Sequence, residues 1–187
     1  MIKNIYLILL LMFFMSCTVH TQRQSTEQIY LIEQISVNQA RITKYLGPSG
    51  DVRIPQVIEG MTVTEIGDEA FLGKEITKIT FPQSLRIIGT NAFKDNKLTE
   101  ITIPVNVISI GIGAFRNNRL NQMRIPFNIR IIEAETFVEN PINRIIIGSN
   151  VNIAINAFDN RFASVYIHFG KKAGTYTLIN NMAWRLN

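Results

Sequence analysis

Two glycines spaced G-x-G and three arginines fall within Ile110 to Pro126, "IGIGAFRNNRLNQMRIP". A glycine loop followed by guanidinium groups could cradle a phosphate. The dinucleotide fingerprint, however, needs a third glycine between a strand and a helix. The third place of that spacing is Arg116. The histidines are His20 and His168 alone, so no Ser-His-Asp set or metal cluster can be assembled around them. Asp68 with Glu69, and Glu133 with Glu135, are short carboxylate pairs at turn positions, where they read as solvated rather than poised for acid–base work. These residues predict no catalytic set, no metal and no cofactor, and hence a protein that is not an enzyme.

The remaining reactive residue is Cys17, the single cysteine. Lys3 precedes an uncharged run, Ile5 to Met15, dominated by Leu, Met and Phe. Eleven residues of helix rise only about 16 Å against a hydrocarbon core of roughly 30 Å, which suits the apolar region of a signal peptide. With Ser16-Cys17 directly after it, the segment resembles a bacterial lipoprotein signal, although Phe14 stands where Leu is more usual. That resemblance implies cleavage after residue 16, acylation of Cys17, and an anchor that several acyl chains hold stably. A plain secretory signal and an uncleaved anchor are the other readings. With Cys17 so used, no thiol remains for a disulfide. Residues 18–28, "TVHTQRQSTEQ", are polar and aperiodic and read as a flexible tether.

The body must therefore be read as scaffold. It has 47% apolar and 18% charged residues, which predicts a packed core. The net charge is +5, but no run of five like charges occurs, so a nucleic-acid partner is not expected. The elements that would position any site repeat. Phe71, Phe93, Phe115 and Phe137 are each 22 residues apart, and Phe158 follows after 21. Ala70, Ala92, Ala114 and Ala157 precede four of them, with Thr136 as the exception. Pro82, Pro104 and Pro126 keep the same period, and Gly148 takes the next place. Ile66, Ile88, Ile110 and Ile132 form another row, followed by Gly67, Gly89 and Gly111 until Glu133 breaks it.

Each unit contains L-x-x-L-x-L-x-x-N with other aliphatics allowed, as in Leu98/Ile101/Ile103/Asn106 and Leu120/Met123/Ile125/Asn128. This is the leucine-rich-repeat signature. Side chains alternate in a strand, so the two aliphatics of I-x-I bury and the x between them faces out. Asn106, Asn128 and Asn150 are expected to bond backbone groups of the neighbouring coil. No coil can bury its apolar face alone, so stacking folds the domain.

The units "IGTNAFKDNKLTEITIPVNVIS" and "IGIGAFRNNRLNQMRIPFNIRI" resemble the BspA-like class of bacterial leucine-rich repeats. The likeness covers about Ile42 to Lys172, with Glu133 for Gly and Gly148 for Pro as departures. It implies a curved solenoid, with strands on one side and short helical or 3₁₀ turns on the other. It also implies a surface-exposed or secreted protein, as members associated with adhesion to host matrix proteins, bacteria or epithelial cells are.

The expected fold is a strand-dominated α/β leucine-rich-repeat solenoid of about five coils. Its divisions are a signal peptide at 1–16, Cys17 and tether at 17–28, and an N-terminal cap with an atypical first repeat at 29–64. Repeats follow at 65–172 and a hairpin cap at 173–187. "RFASVYIHFG" reads as a degenerate fifth strand, with His168 in the place of the repeat's proline. "GTYTLINNMAWRLN" reads as a closing hairpin that turns near Asn180-Asn181 and covers the last coil with Trp184.

On that scaffold the candidate partner-binding residues are the outward x positions. One row is Lys78, Glu100, Gln122 and Arg144; the other is Thr80, Thr102, Arg124 and Ile146. A second, basic set is Lys94, Lys97, Arg116 and Arg119, which could meet anionic lipid or an acidic partner. The bland alternative is that both sets only keep the surface soluble. The expected function is a monomeric surface lipoprotein that binds a protein, an adhesin for host matrix or cell-surface proteins. It would be exported and lipid-anchored to the outer membrane or cell surface. A structural envelope lipoprotein with no host ligand is the alternative.

Overall fold

The structure is a computed structural model that describes residues 29–159, 161–179 and 183–187. The signal segment, Cys17, His20 and the tether lie outside those residues, as do Asn180 and Asn181 at the expected hairpin turn.

β1 (Tyr30–Ser36) and β2 (Gln39–Tyr45) pair antiparallel. β3 (Gly50–Arg53) and β4 (Val57–Ile58) follow, and β4 forms a small antiparallel ribbon with β5 (Met61–Ile66). From there every coil repeats one circuit, and the two sides of the circuit build separate parallel ladders. Six of the eight outward-facing candidates lie on β6 (Ile76–Thr80), on β9 (Gln122–Arg124) and on β11 (Arg144–Ile147). The Ile-Gly row supplies β7 (Ile87–Ile88), β8 (Ser109–Ile110), β10 (Ile131–Ile132) and β12 (Asn152–Ile153). The result is the strand-dominated solenoid that the repeat predicts.

β5, β7 and β8 form one parallel run, and β10 pairs with β12 in another. The division falls where Glu133 replaces the glycine. A Cβ on Gly111 would lie 2.6 Å from the Thr90 nitrogen and 2.7 Å from the Gly89 carbonyl carbon. Only glycine allows that backbone approach; Gly67 N, Gly89 N and Gly111 N each donate to the isoleucine carbonyl of the preceding coil, and among the described residues Glu133 N makes no such bond.

The rings fill the centre. Phe71, Phe93, Phe115, Phe137 and Phe158 stack in one column at 4.8–5.8 Å between successive centroids. Tyr45 extends the column into the cap, 5.0 Å from Phe71. Beside the column the backbone forms its own ladder, with Tyr45 N donating to Ala70 O, Phe71 N to Ala92 O and Phe93 N to Ala114 O. Thr136, the exception in the alanine row, is buried and its hydroxyl donates to Glu133 O at 2.8 Å.

The return path between the two ladders is made of turns rather than helix. Two positions per coil take left-handed φ, one on each side of Ala-Phe. Glu69, Asn91, Gly113 and Glu135 form one row, and Gly73, Asp95, Asn117 and Glu139 the other. Left-handed residues end a helix before it starts, and they wrap the chain tightly around the ring.

The asparagines divide into two ladders. The expected one is partly present: Asn106 Nδ2 donates to Gln83 O at 2.8 Å, and Asn128 Nδ2 donates to Val107 O. Asn150 instead stands at φ 56, with its main-chain N–H donating to Lys171 O. The deeper ladder is Asn96, Asn118 and Asn140, buried three residues after Phe93, Phe115 and Phe137. Asn118 Oδ1 accepts from Leu98 N, while its Nδ2 donates to Phe93 O, Phe115 O and Arg116 O. Asn96 repeats this between Phe71 O, Phe93 O and Ile76 N. Each amide thus satisfies backbone groups that a buried turn would otherwise leave unpaired.

"RFASVYIHFG" is a helix and not a fifth strand. α1 spans Phe162–His168. Phe162, Val165, Tyr166 and Phe169 recur at i, i+3, i+4 and i+7, and this helical period prevails over the strand that the segment's place in the repeat suggests. His168 is exposed in the last turn beside the Phe169 ring, not in a proline place of a repeat. Tyr166 plugs the last coil: its hydroxyl donates to Gly148 O at 2.7 Å and accepts from Val151 N. β13 (Gly174–Ile179) and β14 (Ala183–Leu186) then pair antiparallel, and Trp184 packs 5.0 Å from the Phe162 ring.

Candidate functional site

The outward residues are displayed by register. β3 runs parallel to β6 with Asp51 beside Lys78 and Arg53 beside Thr80. β9 runs parallel to β11 with Gln122 beside Arg144 and Arg124 beside Ile146. β13 joins β11 antiparallel, Thr177 beside Arg144 and Thr175 beside Ile146, and β14 adds Arg185 beside Thr177. The two rows read from the repeat are therefore longer than the repeat. They take in Asp51 and Arg53 at one end and Thr175, Thr177 and Arg185 at the other. Sequence periodicity misses these five because they belong to caps; the alternation of each cap strand is the signal that could place them.

All the expected face residues are exposed except Ile146, which is half-buried. Between β6 and β9 the face is interrupted. Glu100 and Thr102 lie on the segment 98–104, which keeps the inward pattern Leu98, Ile101 and Ile103 but is not in a strand. Among the described residues, no backbone hydrogen bond joins 99–103 to either neighbouring coil. Ile101 is half-exposed, while its counterparts Ile79, Met123 and Ile145 are buried. A groove of about 770 Å³ opens between this segment and β9 and β11. Glu100, Thr102, Gln122, Arg124, Arg144 and Ile146 line it, so six of the eight expected face residues converge there. Lys78 and Thr80 border a smaller hollow of about 260 Å³ on the other side of the same segment.

Val105 and Phe127 form the lip of the larger groove, 56% and 74% exposed. Both follow the proline of their repeat, Pro104 and Pro126. Among the described residues Arg124, Arg144 and Glu100 take part in no ion pair.

The second basic set is placed differently. Arg116 bridges Glu135 and Glu139, with Nη2 at 2.6 Å from Glu139 Oε1. Hydrogen bonds to Glu139 first, then Glu135, raise its pKa above the ordinary arginine value. Lys97 pairs with Glu75 at 2.9 Å, and that hydrogen bond lowers the Glu75 pKa. Half of the set is thus neutralised by carboxylates of adjacent turns. Lys94 and Arg119 lie on the same turns, half-buried and exposed respectively.

The glycines of the opening motif hold backbone, with Gly113 in the left-handed row and Gly111 against Thr90. Among the described residues no group of three or more His, Cys, Asp and Glu could hold a metal ion, and no helix is long and apolar enough to cross a membrane.

A family model described as the BspA type leucine rich repeat region, in six copies, matches residues 50–173. No curated protein matches the chain. Among solved structures the chain is similar to a leucine-rich repeat protein of T. pallidum, at TM-score 0.52 and 21% identity, over 62% of this chain and 67% of that one. It is also similar to a leucine-rich cell surface protein from Faecalibacterium prausnitzii (TM-score 0.49, 19% identity, 86% of this chain and 59% of that one). A third is a leucine-rich repeat protein from Bacteroides ovatus (TM-score 0.43, 18% identity, 71% and 41%). The first of these likenesses is one of fold.

Proposed function

The chain belongs to the BspA-type leucine-rich-repeat family, and from that premise we propose that it is a non-enzymatic module that binds a protein partner on its open strand face. Solenoids offer extended surfaces because stacked coils repeat the same outward positions side by side. The observation that carries the reading is the convergence of six expected face residues on one groove, beside an interruption in the ladder. The N-terminal run and Cys17 support export and lipid anchoring, which would present the face at the cell surface and suit an adhesin for host matrix or cell-surface proteins.

Site-specific photo-crosslinking in living cells tests the reading. A photoreactive residue in place of Thr102, on the strand face, should give a discrete crosslinked protein. The same group in place of Ile112, on the return side, should not. Crosslinks from Ile112 alone would move the contact surface off the strands.

A further inference from the structure

We infer that the groove takes an extended, acidic peptide segment of the partner, with two carboxylate side chains two residues apart and an apolar side chain two residues further on. This names the ligand class for the strand-face reading above and rests on it. Charge is the first argument. The groove holds Arg124 and Arg144 against the single carboxylate of Glu100, and among the described residues neither arginine has an ion-pair partner. Arg41, Lys97 and Arg116 each meet a carboxylate, whereas among the described residues Arg124 and Arg144, unpaired like most other surface cations, share one groove.

Spacing is the second argument. Arg144 stands beside Gln122, two residues before Arg124 on the adjacent strand. Two residues of strand rise and one interstrand step separate the two arginines by about 8 Å. Side chains on one face of an extended peptide recur every two residues, at roughly 6.6 Å. Two carboxylates so spaced reach both guanidinium groups, each as a charge-assisted pair. A helical peptide would need its carboxylates three or four residues apart to share a face.

The groove's own wall is the third. Segment 99–103 carries main-chain groups with no backbone partner in either neighbouring coil, and an extended peptide offers complementary N–H and C=O groups along its length. Past the arginines, Val105 and Phe127 expose apolar surface at the lip, where the third side chain of the peptide comes to rest.

The test uses the full 187-residue chain in detergent solution and fluorescence anisotropy of a labelled peptide, acetyl-Gly-Glu-Ser-Glu-Ser-Phe-Gly-amide. Two controls accompany it: the peptide with Lys for both Glu, and the isomer Gly-Glu-Glu-Ser-Ser-Phe-Gly, which breaks the spacing. The parent peptide should bind, the lysine peptide should not, and the isomer should bind more weakly. Arg124→Glu with Arg144→Glu should weaken the parent peptide by roughly tenfold or more and acquire binding of the lysine peptide. Both positions are exposed, so the melting temperature should stay unchanged. Failure of the parent peptide to bind, or equal binding to the charge-reversed protein, overturns the inference.

Thr102→Trp, which fills the groove, separates this from the broader reading. If a control peptide binds in place of the parent and Thr102→Trp abolishes it, the acidic preference falls and the strand face stands. If binding of the parent survives Thr102→Trp, both fall. If no peptide binds, the inference falls and the crosslinks from Thr102 decide the strand face independently.

Discussion

At the scale of single residues, the buried amides matter more than the residues that first suggest chemistry. Asn118 is 6% exposed and serves one N–H and three carbonyls of two coils. Each buried polar group left unpaired costs roughly 1–3 kcal/mol. Asn118→Ala should therefore lower the unfolding free energy by about 3 kcal/mol or more, comparable to a Phe115→Ala truncation at roughly 3–5 kcal/mol. Asn106→Ala, at an exposed turn, should cost well under about 1 kcal/mol. Urea unfolding of the three variants checks the order, and an Asn118→Ala protein as stable as Asn106→Ala would refute it. The left-handed rows allow a gain as well. Glu69 stands at φ 56 in the row where Gly113 has φ 62. A side chain in that region costs roughly 1–2 kcal/mol, part of which glycine's extra freedom in the unfolded chain offsets. Glu69→Gly should raise stability by a few tenths to about 1 kcal/mol, and Gly113→Ala should lower it by at least as much. The asparagine row was open to reading, since Asn96, Asn118 and Asn140 are 22 residues apart. It is easily passed over because polar residues at a turn usually need no explanation.

At the scale of elements, both ends of the solenoid are held by strands that carry buried tyrosines. Tyr30 on β1 donates to Arg53 O, Tyr45 on β2 to Pro48 O, and Tyr176 on β13 to Lys172 O. Burial pushes the Tyr30 phenol up to about 12 and raises those of Tyr45 and Tyr176 as well. A phenol raised in the folded state stabilises the fold fully below its unfolded value of about 10, and the contribution is lost as pH climbs toward the folded value. Alkaline unfolding should thus begin between about pH 10 and 12 and start at the caps. Absorbance of tyrosinate against far-ultraviolet circular dichroism reads the sequence of events. Tyr30→Phe should delay it, and a variant that unfolds at the same pH as the parent would exclude Tyr30 as a trigger. The strand pattern was legible for β6, β9 and β11, whereas at 98–104 the same inward pattern carries no strand. The helix α1 was not legible, because the segment's place after the last repeat suggests a further strand while its residues carry the i, i+3, i+4, i+7 period. Capping decided between them: Phe162 and Tyr166 lie in the core with Val165 and Phe169 packed against it, a set at odd and even spacings that one helical face presents and the alternating side chains of a strand do not.

At the scale of the whole molecule, the anchor and the face define one expectation. Labelled palmitate should be incorporated into the protein in growing cells and lost in Cys17→Ala; label that survives that substitution would exclude Cys17 as the acylation site. Proteinase added to intact cells should digest the anchored protein, whereas full protection would favour the structural envelope role. The repeat period, the identity of the core rings, the rows of the strand face and the absence of a phosphate loop at Gly111 and Gly113 follow from the sequence itself. They rest on residue type at fixed spacing, and stacking preserves spacing. The interruption at 99–103 and the groove it opens were decided only by tertiary structure. Leu98, Ile101 and Ile103 repeat the inward pattern of coils whose strands do pair, so no local residue sets the break. It shows only once the coils are stacked, where among the described residues no backbone hydrogen bond joins 99–103 to either neighbour. The same is true of charge. Lys97 and Arg116 look as available in sequence as Arg124 and Arg144, yet only packing brings Glu75, Glu135 and Glu139 to the first pair and leaves the second pair facing the groove.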